Sequence, residues 1–175
     1  MDEQGFQTPT AADLASVRKI LERRIGERGI GLLTTVSGEG VPHATWMGTI
    51  SAPRWDQVIT ITSPDSRKIA NIKANPRVEW LFGLDSLGEL VYLEGRAEII
   101  TLESEIKRYW KTLPDKHQAF FLLYFNSSLG FSVVRTRVDA VVFCVPTKNR
   151  KVRIDPAALR AGEEAGAGEA SPDPE

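Results

Sequence analysis

A succession of short β-rich segments separated by turn residues most constrains the fold of this 175-residue chain. In the segment 57–62, Val58, Thr60 and Thr62 alternate with two isoleucines, as expected for a strand with two distinct faces. Gly95 lies in the middle of the long segment 90–100 and predicts a bulge or a close approach of another backbone. The predicted strands are residues 30–36, 41–51, 57–62, 77–84, 90–100, 131–137 and 138–145, of which the last two are either one bent strand or a tight pair.

Helices are few in this pattern. The first is predicted over residues 10–28, where Thr10 and Asp13 resemble a capping box and apolar residues share one face. A short helix is predicted to begin near Ser63, between the third and fourth strands, and two more over residues 101–110 and 115–125. Strands joined mostly by tight turns favour a mainly β, closed or nearly closed antiparallel barrel. A β-sandwich is the alternative, for which the helix after the third strand is unusual.

Composition bounds the domain and its partners. The length favours one domain, assigned to residues 10–160, with residues 1–9 and 161–175 predicted to be disordered. The acidic tail carries five of the acidic residues, so the remainder has a net charge of +4, too little to indicate nucleic-acid binding. One cysteine and two histidines exclude an intrachain disulfide and argue against a structural zinc site. A polar, acidic N-terminus and the lack of a long apolar run indicate a cytoplasmic protein without membrane segments.

The stretch 62–76 combines a helix start with an unusual placement of charge. Ser63 is a suitable N-cap, and Arg67 and Lys68 follow in the first turn or just past it. The helix dipole disfavours cations there by about 0.3–1 kcal/mol each, and a bound anion would offset this cost. The neighbouring hydroxyl groups belong to Thr62, Ser63 and Ser66. These residues predict a phosphate site, although a solvated basic pair explains the local sequence equally well.

Three blocks between residues 31 and 100 resemble the flavin-binding split barrels related to pyridoxamine-phosphate oxidase. They are GVPHATWM at 40–47, Thr62 with SRKIANI at 66–72 and NPRV at 75–78, and LEGRAE at 93–98. The middle block is the most specific. The resemblance implies a six- to seven-stranded antiparallel split β-barrel with a few peripheral helices.

The resemblance also implies FMN as the cofactor and places it. Arg67 and Lys68 would hold its phosphate, and the backbone of residues 45–48 would run along the flavin ring. The implied cofactor-binding residues are Thr45, Trp46, Met47, Gly48, Thr62, Ser63, Ser66, Arg67 and Lys68. Members of the family are usually homodimers with flavins bound between the subunits. Trp46 is interpreted equally well as a cover for the ligand or as a strand aromatic packed on a neighbour.

The sequence differs from the family pattern at positions that bear on the substrate. Trp46 and Ser51 stand where the oxidase has basic residues, and Leu90 stands where it has a glutamine. The basic residues near the C-terminus, interpreted as a solvated strand end, are Arg150, Lys151 and Arg153. Vitamin B6 oxidation is therefore not predicted, and the general-stress-protein branch is the closer likeness.

The resulting hypothesis is an FMN-dependent oxidoreductase for an unidentified small molecule, with catalytic residues unknown. The alternatives are a non-catalytic flavin-binding stress or sensor protein, and a split barrel that uses a deazaflavin or haem. No side-chain chemistry is required if a flavin carries the redox step, and His43 is interpreted as structural. Residues 120–125 form an apolar segment that either meets a second subunit or plugs the barrel end.

Overall fold

The structure is a computed structural model that describes residues 5–25, 29–50, 55–83, 88–113, 115, 118 and 130–160. Its helices are α1 (Ala11–Ile25), α2 (Arg67–Ala74) and α3 (Glu103–Thr112). Its strands are β1 (Ile30–Val36), β2 (Pro42–Gly48), β3 (Gln57–Thr62), β4 (Arg77–Phe82), β5 (Leu90–Ile100), β6 (Ser132–Val145) and β7 (Arg150–Ile154). A 3₁₀ turn, Pro146–Lys148, joins the last two strands. None of the described helices has the length and apolar character to cross a membrane.

The seven strands form one antiparallel sheet in the order β2-β1-β4-β5-β6-β3, with β7 added on β6. The sheet is not closed. The two ends of this path approach each other just after β2, where the Ile50 N–H donates to the Ile59 carbonyl of β3 at 2.7 Å. This open arrangement confirms the predicted mainly β, split-barrel fold class.

The inner face of the sheet packs on α1. Val17, Leu21 and Ile25 repeat every four residues, so they lie on one helix face, and all three are buried in the core. A second cluster lies on the outer face, where Tyr109 of α3 packs against β3 and β6. The alternation predicted for β3 is confirmed, because Val58 belongs to the first cluster and Ile59 to the second.

Two predictions about the long strands are also resolved. Residues 132–145 form one strand, β6, and the pairing of β5 with β6 shifts between Glu94 and Gly95. A Cβ on Gly95 would lie 2.1 Å from the Arg137 carbonyl oxygen. Gly95 therefore marks both the bulge and the close backbone approach that the sequence indicates.

The capping box of α1 is present and is tied to β7. The Thr10 N–H donates to Asp13 at 2.7 Å, and the Asp13 N–H donates to the Thr10 hydroxyl at 3.3 Å. Arg150 donates to both oxygens of the buried Asp13 carboxylate and holds the pKa of this group well below its usual range. The interpretation of Arg150 as a solvated residue was therefore wrong, because its partner lies on α1, far away in sequence.

Several element ends differ from the prediction. Strand β2 ends at Gly48 rather than residue 51, since the chain leaves β1 there and bridges to β3. Strand β4 ends at Phe82 because Gly83 adopts a φ of 92°. In the N-terminal segment, Phe6 is buried and Gln7 pairs with Val152. The predictions for residues 1–4, 26–28, 51, 84, 116–117, 119–125 and 161–175 lie outside the described residues.

Candidate functional site

Helix α2 begins three residues later than the sequence predicts. Its N-cap is Ser66, not Ser63. The Ser66 N–H donates to the Ser63 carbonyl at 3.2 Å, so residues 63–66 form a turn, a geometry that also suits Pro64 at its second position. The Ser63 hydroxyl donates to the Asp65 carboxylate instead of capping the helix.

The corrected start makes Arg67 and Lys68 the first two residues of α2. Ser66 makes no side-chain capping bond, and the first turn contains no acidic residue. The first N–H groups of a helix have no partner within it, and they carry the positive end of its dipole. Two cationic side chains and uncapped N–H groups therefore concentrate positive charge at this end of the helix.

Lys68 is held against the end of β3. Its Nζ donates to the Thr62 hydroxyl at 3.0 Å, and that hydroxyl lies 3.5 Å from the Ser66 hydroxyl. Burial and then the charge of Arg67 lower the pKa of Lys68. The Arg67 side chain is exposed. Of the predicted phosphate residues, the structure thus brings Thr62, Ser66 and Lys68 together, with Arg67 adjacent, while Ser63 is engaged with Asp65.

Strand β2, the second half of the predicted site, is an edge strand. The Ser37 N–H donates to the Val41 carbonyl at 2.9 Å, and the Thr49 N–H donates to the Gly29 carbonyl. With the register of the two strands, this means that the odd-numbered residues of β2 form the main-chain hydrogen bonds to β1. Because hydrogen-bonding direction alternates along a strand, the main-chain groups of Ala44, Trp46 and Gly48 point away from β1. The Gly48 carbonyl already accepts from the Thr60 hydroxyl at 2.6 Å.

The side chains of residues 45–48 divide between the two faces of the sheet. Met47 is buried in the core and Thr45 is half-buried, whereas Trp46 is 59% exposed. Trp46 is the cross-strand partner of Leu32 on β1, and its two roles, a cover for the ligand or a strand aromatic packed on a neighbour, both remain predictions.

A buried polar cluster fixes α2 against β1 and β2. The Asn71 amide donates to the Thr35 hydroxyl at 2.9 Å and lies 3.2 Å from Nδ1 of His43. With this amide orientation Nδ1 accepts, so the neutral histidine carries its proton on Nε2. Asn71 and Thr35 were missed by sequence reasoning, although a polar residue between two buried isoleucines on a short helix was a usable signal.

The arrangement suits a phosphorylated, planar ligand. Uncapped N–H groups, a lysine and hydroxyl groups match the oxygens of a phosphate. The edge of β2, unpaired on its outer side within the described residues apart from the Gly48 carbonyl, offers N–H and C=O groups to a heterocycle. Within the described residues, no group of three or more His, Cys, Asp or Glu side chains converges on a metal position.

A family model described as pyridoxamine 5'-phosphate oxidase matches residues 14–144. A curated relative, the pyridoxine/pyridoxamine 5'-phosphate oxidase of Granulibacter bethesdensis, is 35% identical over 86 residues. That match covers 47% of this chain and 40% of the relative, so the chain matches about two fifths of the length of the curated protein.

Solved structures share the fold. A protein related to general stress protein 26, from Clostridium acetobutylicum, has a TM-score of 0.69 at 12% identity, covering 86% of this chain and 99% of that one. A pyridoxamine 5'-phosphate oxidase-related, FMN-binding protein from Nostoc punctiforme has a TM-score of 0.62 at 16% identity, covering 83% and 91%. A haem-binding protein from Mycobacterium smegmatis also has a TM-score of 0.62, at 22% identity, covering 89% and 62%.

Proposed function

The chain belongs to the pyridoxamine 5'-phosphate oxidase family, and we propose from this membership that it is a flavoprotein that binds FMN and uses it in the oxidation or reduction of a small molecule. The observation that carries the proposal is the uncapped start of α2, which places Arg67 and Lys68 beside the hydroxyls of Thr62 and Ser66. The FMN phosphate is proposed to lie there.

The free edge of β2 supports the placement of the flavin ring. The outward main-chain groups of Ala44 and Trp46 and the N–H of Gly48 are the hydrogen-bonding groups that this edge offers. Asn71 and His43 tie β2 to α2, so that the phosphate end and the ring end of the site keep a fixed separation. The isoalloxazine ring supplies the redox chemistry when bound, and the protein supplies position and hydrogen bonds.

The substrate is not proposed to be vitamin B6. Trp46 and Leu90 occupy positions where the resemblance places a basic residue and a glutamine. An exposed indole next to the ring site favours a planar or apolar substrate over a phosphorylated one.

Purification and reconstitution test the cofactor. The protein is expected to release FMN on denaturation and to rebind it with one FMN per chain, measured by flavin fluorescence. Anaerobic addition of a reduced nicotinamide is expected to bleach the bound flavin, which separates an oxidoreductase from a flavin-storing or sensor protein. Haem is the second candidate because a haem-binding protein shares the fold. A Soret band after haem addition, with no FMN binding, would refute the FMN proposal.

We also propose that two copies of the chain form a homodimer with the flavin at their interface. An apolar row crosses four strands on the outer face of the sheet, because Trp46, Leu32, Leu81 and Tyr92 are successive cross-strand partners. None of the four side chains is fully buried. The row starts on the strand that carries the proposed flavin edge, so a second copy seated on it would also border the cofactor.

Charge placed in this row tests the dimer. Leu81→Lys is expected to give a monomer by light scattering and to weaken FMN binding, although Leu81 lies outside the phosphate site. Leu102→Lys is the matched control, since Leu102 is 60% exposed at the start of α3 and belongs to another surface. A Leu81→Lys protein that remains dimeric would contradict the proposed interface.

A further inference from the structure

Three arginines stand side by side across the sheet. Arg77 of β4 is the register partner of Arg96 of β5, and Arg96 is the partner of Arg137 of β6. Register partners on adjacent strands point to the same face, with neighbouring strands about 4.8 Å apart. Arg77 is exposed, and the side chains of Arg96 and Arg137 are 67% and 68% exposed. The row lies on the same face of the sheet as Leu81, four residues along β4, and in the single chain its three guanidinium groups are open to one ligand.

The row is incompletely neutralised. Like charges directly opposite on adjacent strands are destabilising. Within the described part of the chain, Arg96 pairs only with Asp139, at 3.7 Å, and Arg137 shares a single oxygen of Glu98 with another arginine. Among the described residues, the Arg77 side chain has no ion-pair partner. The arrangement favours an external anion.

The neighbouring cross-strand pair on this face, Glu79 and Glu94, does not neutralise the excess positive charge of the arginine row. Glu79 and Glu94 are cross-strand partners of each other, and Glu94 pairs with Arg153 at 2.8 Å. Burial and the charge of Glu94 raise the pKa of Glu79. The surroundings of Glu79 therefore disfavour its carboxylate form, so Glu79 does not neutralise the Arg77 charge.

A cavity opens at the β6 end of the row. Its volume is about 310 Å³, and Gln57, the partner of Arg137 on β3, lines it. Arg135 also lines it and is fixed by Glu98 and Glu105, so its position is set before any ligand arrives. The size lies at the lower end for pockets that take small ligands.

We propose that the arginine row binds the pyrophosphate group of a nucleotide, with the remainder of the nucleotide entering the cavity. Planar guanidinium groups bind phosphate oxygens through paired hydrogen bonds, and adjacent arginines match two linked phosphates. This site is separate from the start of α2. Gln57 and Thr62 are at opposite ends of β3, which places them about 17 Å apart at 3.3 Å per residue.

Calorimetric titration of the full chain with inorganic pyrophosphate tests the site. The Arg77→Gln/Arg96→Gln protein is expected to bind pyrophosphate at least tenfold more weakly than the original chain. Lys19→Gln/Arg23→Gln removes two exposed charges from α1 and is expected to leave the affinity unchanged. Arg67→Ala/Lys68→Ala removes the phosphate site proposed at α2 and is expected to retain the pyrophosphate binding that Arg77→Gln/Arg96→Gln loses, which separates the two sites.

Three results would overturn the proposal. The first is no pyrophosphate binding by the original chain at millimolar concentration. The second is an equal loss in the α1 control, which would indicate non-specific charge. The third is loss in Arg67→Ala/Lys68→Ala alone, which would place pyrophosphate at α2. Thermal unfolding checks that Arg77→Gln/Arg96→Gln is folded. Because this variant removes like charges that face each other, its unfolding midpoint is expected to stay unchanged or to rise.

Discussion

Replacing Arg67 and Lys68 together with alanine is expected to weaken FMN binding by at least about 3 kcal/mol, which is about a hundredfold in Kd. Each cation is proposed to make a charge-assisted hydrogen bond to the phosphate, and such bonds contribute about 1.5–3 kcal/mol. Alanine is the best helix former, so α2 is expected to persist. Flavin fluorescence quenching measures the affinity, and circular dichroism checks the helix.

The control for this experiment must remove the same charge without breaking a contact that stabilises the fold. Arg150 is unsuitable because it pairs with the buried Asp13. Lys19→Ala/Arg23→Ala on the exposed side of α1 removes the same charge and is expected to leave FMN affinity within a factor of two or so. If the two double variants lose affinity equally, the phosphate does not bind at α2. Riboflavin, which lacks the phosphate, is expected to bind both proteins alike.

Gly95→Ala is expected to lower the free energy of unfolding by about 3 kcal/mol. The new Cβ would lie 2.1 Å from the carbonyl oxygen of Arg137 and 3.0 Å from its carbonyl carbon. Both are backbone atoms of the paired strand, so relief requires β5 and β6 to move apart at their bulge. Urea denaturation followed by tryptophan fluorescence measures the change.

Gly38→Ala is the matched control for this substitution. Its Cβ would meet the Ala74 Cβ at 3.5 Å, an ordinary van der Waals contact, and the change is expected to stay within about 0.5 kcal/mol. A loss of less than 1 kcal/mol in Gly95→Ala would mean that the strands adjust easily, contrary to the expected rigidity of the bulge.

Local sequence rules were sufficient where the partner of a residue lies nearby or is implied by strand geometry. The capping box of α1 joins residues three apart, and both halves are visible in the sequence. The bulge at Gly95 follows from a glycine inside an otherwise continuous strand pattern. The alternation of β3 gave its two faces correctly, because each face packs in its own cluster.

The sequence alone does not fix the residue at which α2 begins. Ser63 and Ser66 are both good N-cap residues, and Pro64 suits either a first helical position or the second position of a turn. In the structure the helix begins after Ser66, and Lys68 reaches back to the Thr62 hydroxyl, a contact that the local sequence does not reveal. The correction strengthens the phosphate hypothesis, because it moves both cations into the first turn.

Contacts between residues far apart in the chain could not be predicted from the sequence. Asn71 meets His43 and Thr35 across 28 and 36 residues, and Arg150 meets Asp13 across 137. Each pair consists of polar residues that look solvent-exposed when read singly. Only the topology of the sheet, which brings β7 beside α1 and α2 beside the β1–β2 hairpin, reveals that they are partners.

The family match stops short of the folded unit at both ends. It begins after Asp13 and ends before β7, yet Val152, Ile154 and Leu159 are buried in the same core as α1. Arg18 donates to the Leu159 carbonyl at 3.0 Å, so the two ends of the unit hold each other in place. A fragment trimmed to residues 14–144 would expose an apolar surface that the intact chain covers, and a boundary for cloning belongs outside residues 5–160.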